Sequence, residues 1–361
     1  MENLVDALNT FRGKRVLITG DTGFKGSWLS LWLHQHGAQV FGFALPAEAN
    51  SHFNALNLSN LIQHENGDVR DFAHLSTFVR RIQPEIIFHL AAQALVITSY
   101  ADPKETFDTN VGGGINLLEA VRQTPGIRAL VFITSDKCYQ NKEVARGYVE
   151  SDELGGRDPY SASKAAAELV FASYAQSFFA QRPSFGAASA RAGNVIGGGD
   201  YAENRIIPDL IRGVLYGKAT NIRNPRSTRP WQHVLDPLWG YLLTLSALIE
   251  GRQIKSINFA PREVSKSVLE VTQIAKSVWN EIQIEEINID ERSAQNQALE
   301  SIELHLNSKL AEELLGWKPE FSQEEAVKSS INWWKSLQTS KIPASELISA
   351  DVKAFLQRKA L

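Results

Sequence analysis

Short apolar runs alternate along the first half of the chain with longer segments whose apolar residues recur every three to four positions. The short runs have the length of buried strands, and the longer segments predict helices. Strands are predicted at residues 15–19, 39–44, 86–90, 129–133 and 185–191. Helices are predicted from residue 72, from about 106 to 122, and through 160 and 164 to about 179. This alternation indicates an α/β fold with a doubly wound parallel sheet.

The alternation stops near residue 192, where the sequence becomes too rich in glycine for the interior of a helix or strand. We therefore divide the chain at this point. Residues 13–192 form a predicted Rossmann domain with the cofactor and catalytic residues, and 193–337 form a smaller mixed α/β region that binds substrate. The chain can cross back between the two. Residues 338–361 are a tail with a helix predicted at 344–358, to which the sequence gives no role.

Three glycines stand between the first strand and the next helix, in the run GDTGFKG. Glycine allows a tight turn, and its missing side chain lets backbone N–H groups and the start of the helix approach a pyrophosphate. The position after the first strand therefore predicts a dinucleotide site. We assign this turn to the cofactor, with Gly20, Thr22, Gly23, Phe24, Lys25 and Gly26 as its binding residues.

The end of the second strand bears on the choice of cofactor. No acid stands there to bind the ribose of NAD, because Leu45 and Pro46 follow the strand and the first carboxylate is Glu48. No arginine is nearby to bind the phosphate of NADP. We favour NAD.

Small residues at the end of the strand 86–90 predict a wall of the cofactor cleft. Leu90, Ala91 and Ala92 allow a flat ring system to approach the backbone closely. His89 lies inside the apolar run and is interpreted as a hydrogen-bonded core residue. Asn110 lies inside the helix 106–122 and can connect it to the catalytic loop by hydrogen bonds.

Tyr160 and Lys164 are four positions apart on a predicted helix, so their side chains share one face. A neighbouring cation favours the phenolate form of tyrosine, which makes Tyr160 a candidate proton acceptor whose pKa Lys164 would lower. Ser135, Asp136 and Lys137 follow the strand 129–133 at its carboxyl end. Ligands bind at the carboxyl ends of such strands, so these five polar groups are expected to converge on one crevice.

The region after residue 192 carries arginines close to aromatic residues. Arginine binds phosphate by paired hydrogen bonds, and tryptophan offers a face for a base or sugar ring. The arginines concerned are Arg205, Arg223, Arg226 and Arg229. Arg229, which precedes Pro230 and Trp231, is the strongest single candidate for substrate binding.

Composition excludes several classes of protein. The chain has 361 residues, a net charge of −3 and no block of lysine and arginine, so no nucleic-acid partner is predicted. A single cysteine, Cys138, excludes an internal disulfide. The sequence has no paired histidine or cysteine motif of the kind that binds a metal, so no metal is predicted. The most apolar later stretch, residues 241–249, is too short to cross a bilayer. We expect a cytoplasmic protein without a membrane partner.

Seven segments together resemble the extended short-chain dehydrogenase/reductase superfamily, and most of all the family of CDP-glucose 4,6-dehydratases. They read GDTGFKG, GDVRD, HLAAQ, TSDKCY, PYSASK, RAGNVIGGGD and RPWQHVLDP, and the likeness spans roughly residues 13–334. It implies further cofactor contacts at Asp68 and Val69, and substrate contacts at Gln93, Ser135 and Asn194. It also implies a homodimer, or a dimer of dimers, paired through the helices that hold Asn110 and Tyr160.

The resemblance implies a dehydration without net oxidation, for deoxysugar and surface polysaccharide synthesis. Tyr160 would take the proton of the sugar 4-hydroxyl, Ser135 would bind the same oxygen, and Lys164 would hold the cofactor ribose. The resulting 4-ketone acidifies C5–H, and Asp136 would protonate the departing 6-hydroxyl before hydride returns to C6. Lys137 stands where related dTDP-glucose enzymes carry a glutamate. It is either the C5 base, with a lowered pKa, or an electrostatic stabiliser of the enolate.

Three departures from the family pattern concern the substrate. They are Ile97, where an arginine is expected, and residues 144–146 and 294–304. A 4,6-dehydratase for another nucleotide sugar therefore stays open. So does a sugar-nucleotide 4-epimerase, which would need Tyr160 and Lys164 but neither Asp136 nor Lys137. A non-catalytic protein that senses the cofactor is the third alternative.

Overall fold

A single parallel sheet of seven strands organises the chain. The computed structural model describes residues 7–142, 146–222, 224–285 and 304–360. The strands of the sheet lie in the order β10-β6-β5-β4-β1-β2-β3, which is doubly wound around β1 and β4. Their bounds are β1 Arg15–Thr19, β2 Gln39–Ala44, β3 Gln63–Asn66, β4 Ile86–His89, β5 Ala129–Ile133, β6 Gly186–Ala192 and β10 Ser256–Phe259.

Two small sheets lie outside the main one. In the first, β7 (Val195–Ile196) pairs in parallel with β9 (Gln232–His233). In the second, β8 (Thr228–Arg229) pairs in an antiparallel manner with β11 (Lys266–Ser267). The glycine-rich loop predicted at 192–200 therefore contains a short strand, because two of its residues pair with the segment that follows Trp231.

Helices connect the strands and cover the sheet. Short turns of 3₁₀-helix lie at Leu58–Asn60 and Asp136–Cys138. The α-helices are Phe24–Gln35, His52–Ala55, Phe72–Ile82, Val96–Ala101, Pro103–Phe107, Gly114–Arg122, Pro159–Tyr174, Ile206–Tyr216, Leu235–Ile249, Val268–Val278, Lys309–Leu315, Gln323–Thr339 and Ala344–Lys359.

Two of the predicted helices contain a segment of π-helix. Asp108–Gly113 lies between the helices Pro103–Phe107 and Gly114–Arg122, and Ala175–Phe179 extends the helix Pro159–Tyr174. The apolar pattern does not distinguish a π-turn from an α-turn, so the sequence predicts continuous helices there. Such segments often mark functional positions, and the first one holds Asn110.

The chain returns from the second region into the main sheet. β10 lies beside β6 in parallel register, with Ile257 opposite Ala190. The helix Leu235–Ile249 that precedes β10 is almost wholly buried, and its apolar residues belong to the same core as β1 and β4. Residues 235–259 are therefore part of the α/β layer that carries the cofactor turn.

The C-terminal helix Ala344–Lys359 packs on the core. Phe355 is fully buried and lies edge-on to Trp32, with ring centroids 5.9 Å apart. Its ring is also stacked on that of Phe321. Trp333 and Trp334 are buried, which confirms the predicted core position of both. In the described part of the chain, no helix has the length and apolarity needed to cross a membrane.

We expect Phe355→Ala to lower the free energy of unfolding by about 3–5 kcal/mol, because it leaves a cavity between the rings of Trp32, Trp239 and Phe321. Urea unfolding followed by tryptophan fluorescence measures the change. Tyr216→Ala is the matched control, because Tyr216 is 69% exposed and its truncation should change the free energy by less than about 0.5 kcal/mol. Equal effects of the two variants would contradict the docking of the C-terminal helix.

Candidate active site

The glycine turn after β1 is shaped by two close backbone contacts. Gly20 has a φ of +77°, and a Cβ at this position would lie 2.7 Å from the backbone nitrogen of Ala91. A Cβ on Gly26 would lie 2.1 Å from the carbonyl oxygen of Gly20. Neither position accepts a larger residue unless the backbone moves. The helix Phe24–Gln35 starts at Gly23 without a side-chain cap, as is expected of a helix start that binds a dinucleotide pyrophosphate.

Thr22 and Phe24 connect this turn to its surroundings. The hydroxyl of Thr22 donates to the carbonyl oxygen of Leu45, which follows β2, over 3.2 Å. The ring of Phe24 is half-buried and lies 6.5 Å from the ring of His52, between centroids. Both side chains thus hold the turn against the segment after β2.

Lys25 extends from the same turn toward the catalytic residues. Its Nζ lies 3.4 Å from the hydroxyl oxygen of Tyr241. Burial, together with the positive charges of Lys164 and Arg205, lowers the pKa of Lys25 to about 7. The sequence assigns this lysine to the cofactor, and the structure brings it within electrostatic range of the catalytic helix as well.

Asp21, the residue after Gly20, was not predicted from the sequence to matter. It is fully buried, and its carboxylate oxygen Oδ2 lies 2.7 Å from Nδ1 of His64 on β3. Burial raises the pKa of Asp21. The burial of His64 acts to lower the pKa of this histidine, but the hydrogen bond to Asp21 acts against this, and the pKa of His64 is raised overall. A Cβ on Gly42 would overlap the carboxylate of Asp21, so this pair packs under β2.

The end of β4 forms the neighbouring wall. Leu90, Ala91 and Ala92 are half-buried, and the backbone N–H of Leu90 donates to the carbonyl oxygen of Thr19 over 3.0 Å. His89 is buried, with Nδ1 2.7 Å from the hydroxyl oxygen of Thr19. Burial lowers the pKa of His89 to about 3. The interpretation of this histidine as a hydrogen-bonded core residue is confirmed.

Asp68 and Val69 follow β3 at the same edge of the sheet. The carboxylate of Asp68 accepts hydrogen bonds from the backbone N–H and the Nε of Arg70, at 2.9 and 2.8 Å. Val69 is buried against the π-helical segment, because a Cβ on Gly113 would lie 2.6 Å from its Cγ2. Their contact with a cofactor stays a prediction.

Asn110 connects two parts of the site. Its Oδ1 accepts from the backbone N–H of Gln93 at 2.9 Å, and its Nδ2 donates to the hydroxyl of Ser163 at 2.8 Å. These hydrogen bonds join the loop after β4 to the helix Pro159–Tyr174 and not to the 135–137 turn, so the predicted connection of Asn110 to the catalytic loop is wrong. The side chain of Gln93 bonds internally, to the backbone of Leu95 and to Thr106, so its contact with substrate stays a prediction.

Tyr160 and Lys164 lie on one face of the helix Pro159–Tyr174, and Nζ of Lys164 is 5.9 Å from the centroid of the Tyr160 ring. Burial raises the pKa of Tyr160 to about 12, and the hydrogen bond with Ser135 and the charge of Arg205 offset this only in part. Burial lowers the pKa of Lys164 to about 8. Burial therefore raises the pKa of the phenol overall, and the lowering of this pKa by Lys164 stays a prediction.

The turn after β5 contains the short 3₁₀-helix Asp136–Cys138, and Ser135 is its N-cap residue. The Ser135 hydroxyl donates to Oδ1 of Asp136 over 2.8 Å and accepts from the Lys137 backbone N–H over 3.3 Å. Asp136 is buried, and a Cβ on Gly193 would lie 3.1 Å from its Oδ2. Burial raises the pKa of Asp136, although Lys137 and Ser135 oppose this. The raised pKa favours the protonated form that a general acid needs.

Two of the predicted arginines lie within electrostatic range of this turn. Arg205 forms an ion pair with Asp200, over 3.0 Å between Nη1 and Oδ2, and its charge acts on the pKa of Tyr160. Arg229 is buried, donates to the carbonyl oxygen of Thr228, and acts on the pKa of Asp136.

The other substrate candidates are placed differently. The carbonyl oxygen of Asn194 accepts from the backbone N–H of Gln232 over 3.0 Å, where β7 meets β9, and its side chain is half-buried. Arg226 is exposed. Arg223, residues 144–145 and most of 294–304 lie outside the described residues.

A buried ion pair beneath the turn also escaped the sequence analysis. Glu168 and Arg191 have side chains that are only 3% and 4% exposed, and Nη2 of Arg191 lies 2.7 Å from Oε2 of Glu168. The available signal was that Glu168 follows Lys164 by four positions on the same helix face. In the described residues, no three His, Cys, Asp or Glu side chains are grouped so that they could hold a metal ion.

The fold and the Tyr-Lys pair beside a glycine turn define an extended short-chain dehydrogenase/reductase. A model of the family described as GDP-mannose 4,6 dehydratase matches residues 17–330. The CDP-glucose 4,6-dehydratase of Salmonella typhimurium is 44% identical over 340 residues, which cover 91% of this chain and 92% of that protein. The chain therefore belongs to the GDP-mannose 4,6 dehydratase family.

Solved structures show the same fold at low sequence identity. The dTDP-glucose 4,6-dehydratase of Bacillus anthracis, in complex with NAD, has a TM-score of 0.72 and 22% identity, over 90% of this chain and 97% of that one. The UDP-glucose 4-epimerase of Thermotoga maritima, with UDP-glucose, has a TM-score of 0.75 and 21% identity, over 89% of this chain and 99% of that one.

We expect Gly26→Ala to weaken binding of NAD at least tenfold, because the added Cβ would collide with the carbonyl oxygen of Gly20 and widen the turn. Isothermal titration calorimetry measures the affinity. Gly112→Ala is the control: a Cβ there meets no atom within 4 Å, so its affinity should equal that of the wild type. Unchanged binding by the Gly26 variant would refute this assignment of the turn.

Proposed function

We propose that this protein catalyses the NAD-dependent 4,6-dehydration of a nucleotide-activated hexose, from CDP-D-glucose to CDP-4-dehydro-6-deoxy-D-glucose. The observation that carries the proposal is the buried Asp136 carboxylate, whose pKa burial raises, beside Ser135 on the turn that faces the Tyr160 helix. Removal of a 6-hydroxyl requires an acid at this place, whereas a 4-epimerase does not. The 44% identical relative from Salmonella typhimurium is a CDP-glucose 4,6-dehydratase, which supports the same choice.

NAD fits the turn after β1, because Gly20 and Gly26 leave room only for backbone and the helix that follows has an uncapped start. Related structures contain NAD. When bound, NAD supplies a hydride acceptor and donor together with a positive charge on its nicotinamide ring. Thr22, Phe24 and Lys25 would hold its phosphates, and Ala91 and Ala92 would flank the ring.

The chain's own residues move the protons. Tyr160 would accept the proton of the 4-hydroxyl at its phenolic oxygen, and Ser135 would bind the sugar oxygen there. Lys164 would bind the cofactor ribose. Asp136 would donate its proton to the departing 6-hydroxyl, which leaves as water.

Two further assignments are part of the proposal. Lys137 would act at C5, as the base or as a cation that stabilises the enolate. Arg205 and Arg229, whose charges reach Tyr160 and Asp136, would bind the diphosphate of the substrate. A cytoplasmic location stays a prediction.

The proposal is tested by incubating the NAD-loaded protein separately with CDP-glucose, UDP-glucose, dTDP-glucose and GDP-mannose. Mass spectrometry of the products should show the loss of one water from CDP-glucose. Loss of water only from another sugar nucleotide would contradict the substrate assignment. A product of unchanged mass whose configuration at C4 is inverted would show that the protein is an epimerase and not a dehydratase.

We expect Asp136→Asn to slow elimination about 100-fold or more and C4 oxidation by less than about tenfold, because an amide cannot donate the carboxyl proton. Rapid-quench single-turnover analysis separates the 4-keto sugar from the dehydrated product. Normal dehydration in this variant would show that Asp136 is not the acid that protonates the 6-hydroxyl. Asp152→Asn changes a carboxylate that pairs with Arg146 outside the site, so it is the matched control and should leave both steps unchanged.

An exposed apolar face supports a homodimer. Neighbouring helical segments within residues 96–122 and 159–179 carry large apolar residues that are 37–60% exposed. These residues are Ile97, Phe107, Ile115, Leu169 and Phe178. We propose that a second copy of the chain covers this face, since the helices that bear it pack side by side and a monomer rarely exposes so many apolar residues together.

We expect Leu169→Glu to convert the dimer to a monomer, because it buries a charge in the proposed interface. Sedimentation velocity at several concentrations measures the state. Tyr216→Glu, a change at an exposed residue on the helix Ile206–Tyr216, should leave the dimer intact. A wild type that sediments as a monomer would contradict the interface.

A further inference from the structure

The buried Glu168–Arg191 pair lies directly under the catalytic residues. Glu168 follows Tyr160 by eight positions and Lys164 by four on the helix Pro159–Tyr174, so all three face the end of β5. Arg191 comes from β6, the neighbouring strand. Both side chains are almost fully buried.

The carboxylate of Glu168 is fully hydrogen-bonded. Its Oε1 accepts from the hydroxyl of Thr134 and from Nε of Arg191, the latter over 3.0 Å. Its Oε2 accepts from the hydroxyl of Ser189 and from Nη2 of Arg191, both over 2.7 Å. Thr134 is the residue immediately before Ser135, so this carboxylate holds the start of the catalytic turn.

Arg191 holds the other end of the same turn. Its Nη1 donates to the hydroxyl of Tyr139 over 2.6 Å and to the carbonyl oxygen of Glu150 over 3.1 Å. The Tyr139 hydroxyl in turn donates to Oδ1 of Asn258 on β10 over 2.9 Å. Tyr139 follows the 3₁₀-turn Asp136–Cys138, so one ion pair fixes both flanks of the three catalytic residues.

We propose that Glu168 and Arg191 are the positioning residues of the dehydration, which set the distance of the Ser135–Lys137 turn from Tyr160 by holding Thr134 and Tyr139. The inference rests on the proposed function. A buried ion pair is often no better for stability than well-packed apolar residues, so its arrangement around this turn needs another reason. A displacement of about 1 Å of the acid from the sugar is enough to lose about 100-fold in rate.

The pair also contributes charge near Lys164. Burial lowers the pKa of Lys164, and Glu168 acts in the opposite direction. Four titratable groups, each from a different element of the fold, interact electrostatically with Lys164. They are Lys25, His89, Cys138 and Glu168. Loss of the Glu168 charge should therefore favour the neutral amine.

The test compares Glu168→Gln with wild type on the sugar nucleotide that the wild type dehydrates. We expect kcat to fall about 10- to 100-fold with KM within threefold, and the alkaline limb of the kcat profile to move to lower pH. Glu312→Gln, which breaks the surface pair with Arg262, is the matched control and should leave kcat and the profile unchanged.

Tyr139→Phe provides a second test in case Glu168→Gln does not fold. It removes one hydroxyl and leaves Arg191 bonded to Glu168. We expect a smaller fall in kcat, about threefold or more, and faster hydrogen exchange at the amides of residues 134–139. A variant that only loses stability, with kcat, pH profile and local exchange unchanged, would overturn the inference. A wild type that dehydrates no sugar nucleotide would overturn the proposed function first.

Discussion

The site depends on a contact between two backbones, where the glycine turn after β1 presses against the end of β4. The contact leaves no space for a side chain at Gly20, and Gly26 is equally constrained against the carbonyl oxygen of Gly20. Because backbone atoms meet backbone atoms, no change of rotamer can relieve a substitution. The contact fixes the start of the helix Phe24–Gln35 relative to the strand ends. β5, next to β4, then brings the catalytic turn to the same edge.

Burial in this crevice moves its ionisable groups toward their neutral forms. The pKa values of Tyr160 and Asp136 are raised, and those of Lys25 and Lys164 are lowered, with burial as the largest cause in each case. The protein alone therefore keeps its phenol protonated near neutral pH. In the proposed function, a bound cofactor would bring phosphate charge toward Lys25 and a cation toward Tyr160, which would couple its binding to the protonation of these groups.

The sequence predicted the elements whose signal is local. The bounds of β1, β2 and β5 and the glycine turn follow from apolar runs and glycine spacing, and the Tyr160–Lys164 geometry follows from helical periodicity. The π-helical segment at Asn110 and the pKa of Tyr160 were not predictable, because both depend on what packs against the helix. The Asp21–His64 and Glu168–Arg191 pairs join residues 43 and 23 positions apart, and no pattern in one sequence connects them.

The loops after β5 and β6 are hydrogen-bonded to the α/β layer that carries the glycine turn. Asn258 on β10 accepts from the Tyr139 hydroxyl and donates to the carbonyl oxygen of Tyr148 over 2.9 Å. On the opposite side, Nε1 of Trp28 donates to the carbonyl oxygen of Gly198 over 2.8 Å. Because both links are buried, breaking either one would leave polar groups unpaired, so the loops after β5 and β6 are tied to the α/β layer that carries the glycine turn.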